Sequence, residues 1–181
     1  RAARRARAAA TTWPLTLDLV DGAGIVSYAA LAWKGSEEQR IRIVSSDSSS
    51  SGVHVISVPE PSTISFTEFS HLTRRMGKHG RGGDLSFHAS PLELTGCAFR
   101  GSARRLLGIT MAKASITDCA FSGGADQLEA GAAQVNLLRC VFDGAQDDGI
   151  SADGGMVTVK DTELRGVAGI ALKGEKGARI S

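Results

Sequence analysis

The chain has 181 residues, of which 42% are hydrophobic and 5% aromatic, and it contains 22 glycines. This length and apolar content suit one domain with a buried core, and the glycines indicate many tight turns. The formal net charge of +2 argues against a broad nucleic-acid surface, and no apolar run approaches the roughly 18 residues of a membrane span.

The chain begins with a basic, alanine-rich segment, residues 1–12, which holds four arginines and no initiator methionine. We interpret this segment as a flexible tail. The remnant of a targeting segment, a basic arm and a processed terminus remain alternatives.

The next segment, residues 13–60, is predicted to contain entry strands and N-terminal coils. Three leucines between residues 15 and 19 alternate with other residues, as expected for a strand. Residues 25–33 and 40–44 are predicted as irregular strands, and the serine-rich run 45–51 as a solvated turn.

From residue 61 onward the sequence repeats about every 22 residues, apart from a longer first interval that contains an insertion at residues 73–84. Each repeat has an apolar pair and then an apolar residue: Ser62/Ile64/Phe69, Leu92/Leu94/Phe99, Ala114/Ile116/Phe121, Val135/Leu137/Phe142, Val157/Val159/Leu164 and Ala178/Ile180. A second apolar pair comes just before, at Leu85/Phe87, Ile109/Met111, Leu128/Ala130, Ile150/Ala152 and Ile170/Leu172. This period of two predicts strands, because a helix would need apolar positions at i, i+3, i+4 and i+7.

One repeat of this length cannot bury its apolar side alone, but coils stacked about 4.8 Å apart bury a continuous interior. The sequence therefore predicts an all-β fold, a right-handed parallel β-helix (a single-stranded solenoid) of about five to six coils over residues 61–181. The right hand follows from the general preference of parallel crossover connections. Because the chain stops inside a coil, we expect either truncation, with further coils beyond Ser181, or end-to-end self-association that covers the open edge.

Three cysteines each precede a phenylalanine by two residues, at Cys97, Cys119 and Cys140. The spacing predicts that they form one inward-facing ladder beside a ladder of phenylalanines. Free core thiols are favoured over a zinc site, because a linear stack does not supply about four convergent ligands. A disulfide between neighbours on the ladder is allowed on distance alone.

These repeats, over about residues 53–181, resemble the right-handed parallel β-helices of the pectate-lyase-like superfamily. The closer resemblance is to bacterial surface β-helix proteins found with spore-coat-kinase-like proteins, whose coils read roughly v-i-x-n-C-x-F and then D-G/A-I. Residues 30–69 resemble the entry coils of those proteins and residues 169–181 a late coil. The resemblance implies the fold but no single activity, since the fold hosts lyases, hydrolases, adhesins and inert scaffolds.

Aspartates form the best acidic candidate site. Asp126 and Asp148 each lie two residues before an apolar pair, so we expect them on neighbouring coils, with Asp147 beside them. Residues 146–151 (QDDGIS) resemble the paired-aspartate motif of polygalacturonases, although the other motifs of that family are missing. The three carboxylates are candidate ligand-binding residues and candidate ligands of Ca²⁺, and the sequence predicts no other cofactor; ordinary turn residues are the alternative.

The insertion at residues 73–84 supplies the basic candidates for ligand binding, which are Arg74, Arg75, Lys78, His79 and Arg81. They could hold an anionic glycan or a phosphate, or they could belong to a solvated loop. Interleaved aromatic residues are missing, so single-stranded nucleic acid is not the expected partner.

The sequence as a whole predicts a β-helix scaffold or carbohydrate-binding module of a cell-surface or secreted protein, with an anionic polysaccharide as the candidate partner. No residue is assigned a catalytic role. The alternative function is a polysaccharide lyase or glycoside hydrolase that acts on a uronate polymer.

Overall fold

The computed structural model describes residues 15–72, 83–102 and 104–181, and these residues form 21 strands and no helix. In chain order the strands are β1 Thr16–Asp18, β2 Gly24–Ser27, β3 Ala32–Lys34, β4 Ile41–Val44, β5 Gly52–Ile56, β6 Ser62–Ser65, β7 Thr67–Ser70, β8 Leu85–His88, β9 Leu92–Thr95, β10 Ala98–Arg100, β11 Leu107–Thr110, β12 Lys113–Thr117, β13 Ala120–Ser122, β14 Leu128–Gly131, β15 Gln134–Leu138, β16 Val141–Asp143, β17 Ile150–Asp153, β18 Met156–Lys160, β19 Glu163–Arg165, β20 Leu172–Glu175 and β21 Arg179–Ile180.

The strands form three parallel sheets of seven strands each, which we call sheets A, B and C. Every third strand joins the same sheet: sheet A has the order β1-β4-β7-β10-β13-β16-β19, sheet B the order β2-β5-β8-β11-β14-β17-β20, and sheet C the order β3-β6-β9-β12-β15-β18-β21. The chain is therefore a parallel β-solenoid, and the predicted fold class is confirmed. It makes about seven coils rather than five to six, because the entry strands of residues 13–60 belong to the same three sheets.

Each coil turns between sheets at residues whose backbone is left-handed. We call the three turns corner BC, corner CA and corner AB after the sheets that they join. At corner BC the left-handed residues include Ser57, Ala89, Met111, Ala132 and Gly154, at corner CA Phe66, Gly96, Asp118, Arg139 and Asp161, and at corner AB His71, Gly101, Gly123, Gly144 and Gly166. Most of their N–H groups donate to the next coil, as in Ala89 N to Thr110 O at 2.9 Å, so the hydrogen-bond ladder continues around the corners.

A stack of phenylalanine rings fills the interior behind sheet A. The centroids of Phe69 and Phe99 are 4.9 Å apart, those of Phe99 and Phe121 4.7 Å, and those of Phe121 and Phe142 4.5 Å. All four side chains are buried. The predicted phenylalanine ladder is thus confirmed, with the rings stacked at the spacing of the coils.

The cysteine ladder is confirmed as well. Cys97, Cys119 and Cys140 are free and buried, and the Cys97 N–H donates to the Cys119 Sγ at 3.4 Å. Burial raises the pKa of the Cys140 thiol, which keeps it protonated at neutral pH. The three thiols are therefore buried core residues.

Two parts of the predicted register are wrong. In sheet B, Leu107 pairs with Leu85 and Ile109 with Phe87, so the second apolar pair of this coil is Leu107/Ile109 and not Ile109/Met111. Met111 lies at corner BC and is exposed.

The last coil shows the same error of two residues. Leu172 pairs with Ile150, and Ile180 pairs with Val157, so the predicted pairs Ile170/Leu172 and Ala178/Ile180 are displaced. A shift by two keeps every side chain on its own face of the sheet, so alternation alone cannot detect it.

Candidate functional site

The predicted basic site lies outside the described residues. All five of its members, Arg74, Arg75, Lys78, His79 and Arg81, fall within residues 73–82.

The predicted acidic residues are brought onto neighbouring coils, but their side chains have separate partners. Leu128 pairs with Ile150, which sets Asp126 and Asp148 in register two residues earlier. Asp126 Oδ2 lies 3.6 Å from Arg105 Nη2. Asp148 Oδ2 lies 3.0 Å from Lys173 Nζ, and its Oδ1 accepts a hydrogen bond from Ile170 N at 3.1 Å.

The third aspartate does not complete a calcium site. Asp147 is exposed, whereas Asp148 is buried with both oxygens engaged. Within the described parts of the chain no group of three or more His, Cys, Asp or Glu side chains could hold a metal ion. The geometry therefore gives no support to the predicted calcium ligands.

The outward side of sheet B carries a polar row, which we call the B-face row. Its members are in register on successive coils, in the order His54, Ser86, Gly108, Glu129, Ser151 and Lys173. Arg105 forms ion pairs with Glu129 of this row and with Asp126. Lys173 of the row pairs with Asp148, so both charged members of the row, Glu129 and Lys173, have partners of opposite charge beside the row.

The other half of the B-face row holds a close contact between a histidine and a serine. His54 Nδ1 lies 2.6 Å from Ser86 Oγ, and His54 Nε2 lies 2.7 Å from the carbonyl oxygen of Ser51. His54 is only 7% exposed, and Ser86 is half-buried. The sequence analysis did not identify this pair, because the 28 residues between β5 and β8 separate its members in the chain and hide the pairing. The alignment of Val53 with Leu85 is the signal that could have revealed it.

Buried polar side chains lie inside corner AB. Asp84 is 2% exposed and accepts a hydrogen bond from Ser102 Oγ at 2.8 Å. Burial raises the pKa of Asp84 to about 8, against the smaller opposing effect of that hydrogen bond. Gln127 Nε2 donates to the Asp143 carbonyl at 2.7 Å and to the Gly123 carbonyl at 3.1 Å. The hydrogen bonds of these side chains connect neighbouring coils at corner AB, between the strands of sheets A and B.

A shallow groove follows corner BC along the stack of coils. We call it the corner groove. It has a volume of about 560 Å³ and is lined by Pro59, Ala89, Pro91, Met111, Ala112, Lys113, Ala132, Ala133, Gln134, Gly154 and Gly155. A second depression of about 260 Å³ shares Pro91, Lys113 and Gln134 with it and continues onto sheet C at Glu93, Ser115 and Asn136.

Small residues make the groove shallow and continuous. A β-carbon at Gly155 would lie 2.4 Å from the Ala133 carbonyl oxygen, so neighbouring coils approach too closely there for a side chain. Among the residues that the structure describes, Lys113 is the only charged one that lines the groove.

No helix among the described residues is long and apolar enough to cross a membrane. A scan of protein-family models and searches of curated proteins and of solved structures found no match to this chain.

Proposed function

We propose that this protein is a β-helix scaffold that binds an extended polysaccharide along the corner groove, as a module of a cell-surface or secreted protein. The observation that carries the proposal is the course of the groove. It runs from Pro59, between β5 and β6, to Gly155, between β17 and β18, and therefore passes over five successive coils. At about 4.8 Å per coil this is roughly 20 Å, a length that suits several residues of a linear polymer.

The lining favours an anionic polymer. Ligand sites combine a mostly apolar surface with a few polar groups that set specificity, and here those groups are Lys113 and Gln134. Because Lys113 is the only charged residue in the described lining, a uronate carboxylate would meet a cation there and no described carboxylate. The described lining contains no aromatic ring, so we expect weak binding that depends on several contacts along the polymer.

The pectate-lyase-like relationship is part of this proposal. The resemblance rests on the phenylalanine ladder of β10, β13 and β16 and on the cysteine just before each of these strands. The parallel three-sheet architecture is compatible with it.

The test is affinity electrophoresis or calorimetry with polygalacturonate and, for comparison, a neutral glucan. Lys113→Glu should weaken binding to polygalacturonate at least about tenfold, because it places like charge against the polymer. Lys160→Glu makes the same charge change on sheet C away from the groove and should have little effect. If both variants lose binding equally, or if the unmodified protein does not bind polygalacturonate, the proposed polysaccharide binding is wrong and only the scaffold role remains.

The alternative of a polysaccharide lyase or glycoside hydrolase is tested by an activity screen on polyuronates with and without calcium. Both oxygens of Asp148 have partners, Lys173 Nζ and Ile170 N, which disfavours Asp148 as the acid or base of a glycoside hydrolase. We expect no turnover. Cleavage that Asp148→Asn abolishes would establish the enzyme.

A further inference from the structure

We propose that Ser86 and His54 form a nucleophile–base pair that hydrolyses carboxylic esters. This activity is independent of polysaccharide binding in the corner groove, because the pair lies on the outward side of sheet B.

The hydrogen bonds of His54 fix the protonation pattern that a base requires. The Ser51 carbonyl can only accept, so the contact of 2.7 Å requires the proton of neutral His54 to be on Nε2. Nδ1 then has a free lone pair, and the Ser86 hydroxyl donates to it across 2.6 Å. A hydroxyl that donates to an imidazole nitrogen at this distance is the ground-state arrangement of an activated serine.

Two parallel strands hold the pair in place. His54 in β5 and Ser86 in β8 are direct register partners, and the flanking pairs Val53 with Leu85 and Val55 with Phe87 are buried. Rigid strands hold reacting groups more accurately than loops do. His54 is buried, which shields the base, whereas Ser86 is only half-buried and therefore remains partly accessible.

On the next coil, the register partner of Ser86 is Gly108, which has no side chain. A β-carbon at Gly108 would lie 3.8 Å from Ser86 Cβ and 3.6 Å from Arg105 Cδ. The side chain of Arg105 therefore borders the site, and its ion pair with Glu129 holds it there.

The chemical step proceeds as acyl transfer. Ser86 Oγ attacks the ester carbonyl carbon while its proton passes to His54 Nδ1, and the C–O bond to the alcohol breaks as His54 returns that proton to the leaving oxygen. Water then attacks the acyl-serine, again with His54 as base, and releases the acid and free Ser86. This reaction needs no oxidant, metal or cofactor.

The Ser51 carbonyl orients the imidazole but carries no full negative charge. It therefore stabilises the imidazolium less than the aspartate of a catalytic triad does. We expect slow turnover of small, activated esters, and covalent labelling is the sharper measurement.

The experiment treats the full chain with a fluorophosphonate probe and maps the modified peptide by mass spectrometry. Labelling should occur at Ser86 and disappear in Ser86→Ala. In His54→Gln the labelling rate should fall about 100-fold or more, the usual contribution of a general base. Ser151→Ala removes a serine from the same row three coils away, without a histidine neighbour, and should leave the rate unchanged.

A second measurement covers the case in which Ser86→Ala or His54→Gln fails to fold. Ser86→Cys retains a donor to His54, and the three native thiols are buried and should react slowly with iodoacetamide. Its alkylation should be at least tenfold faster than that of Ser151→Cys. Equal alkylation rates, or no fluorophosphonate labelling of the folded wild-type protein, would show that the pair is only a structural contact. Neither result affects the Lys113 test, so the two proposals can fail separately.

Discussion

Phe121 shows how much one residue contributes to this solenoid. It is buried between Phe99 and Phe142 at centroid distances of 4.7 Å and 4.5 Å. Phe121→Ala should lower the free energy of unfolding by about 3–5 kcal/mol, because it opens a cavity and removes two ring contacts. Urea denaturation measures the change.

Met111→Ala is the control for that variant, because Met111 is 60% exposed at corner BC. Its effect should stay within about 0.5 kcal/mol. A loss of less than about 1 kcal/mol for Phe121→Ala would contradict the packed stack.

Asp84 should make stability depend on pH. Its folded-state pKa of about 8 is above the ordinary aspartate value, so between pH 4 and pH 8 the folded protein holds a proton that the unfolded chain has released. Stability should therefore fall as pH rises through this window, by at most about 1.4 kcal/mol per pH unit, and level off outside it. Chemical denaturation at a series of pH values measures this slope.

Asp84→Asn should remove that slope, because the amide is neutral throughout. Asp161→Asn makes the same change at an exposed residue and should keep the slope. If Asp84→Asn retains the full pH dependence, another group is responsible.

At the scale of elements, corner residues with the same backbone conformation should differ in their tolerance of a side chain. Gly96 and Gly123 have φ values of 62° and 72°. A β-carbon at Gly96 would lie 2.7 Å from the ring of Phe66, whereas one at Gly123 would meet nothing within 4 Å. Gly123→Ala should cost about 1 kcal/mol for its left-handed backbone.

Gly96→Ala should cost at least about 1 kcal/mol more than Gly123→Ala, because it adds a steric overlap to the same backbone cost. Paired thermal or urea melts of the two variants measure the difference. Equal costs would mean that Phe66 moves aside freely.

The sequence was sufficient to predict sheets A and C over their middle strands, but in sheet B it misplaced the middle strand β11 by two residues. Phe99, Phe121 and Phe142 are large and recur at one position, so they mark the register of sheet A without ambiguity. In sheet B the run from Leu106 to Met111 offers several apolar pairs, and only the three-dimensional pairing selects Leu107 and Ile109.

The candidate sites were harder to predict than the fold. Asp126 and Asp148 were correctly expected on neighbouring coils, yet their salt bridges depend on side-chain directions that spacing does not reveal. The contact between His54 and Ser86 joins residues 32 apart in the chain, across a connection that departs from the regular repeat.

Over the whole molecule, protection from hydrogen exchange should differ along the stack of coils. The residues of β1 and β20 are mostly exposed, whereas the inward residues of β8 to β16 are buried. In a solenoid each coil is stabilised mainly by its contacts with neighbouring coils, so the well-buried coils should open least often. Hydrogen exchange followed by mass spectrometry should show the slowest exchange in residues 85–142 and faster exchange in 15–34 and 163–181. Uniform protection would instead indicate one cooperative unit.

Corner AB has the longest connections in the later coils, and this affects how the protein can change. From β10 onward its connections occupy residues 101–106, 123–127, 144–149 and 166–171, which is five or six residues each. Over the same coils, corners BC and CA use only two or three residues. Insertions and deletions acquired during evolution can therefore accumulate at corner AB without moving any ladder. For protein engineering, the same corner is the natural position for grafting a foreign peptide, for example next to Gly123, where a β-carbon would meet nothing within 4 Å and the buried Gln127 would be retained.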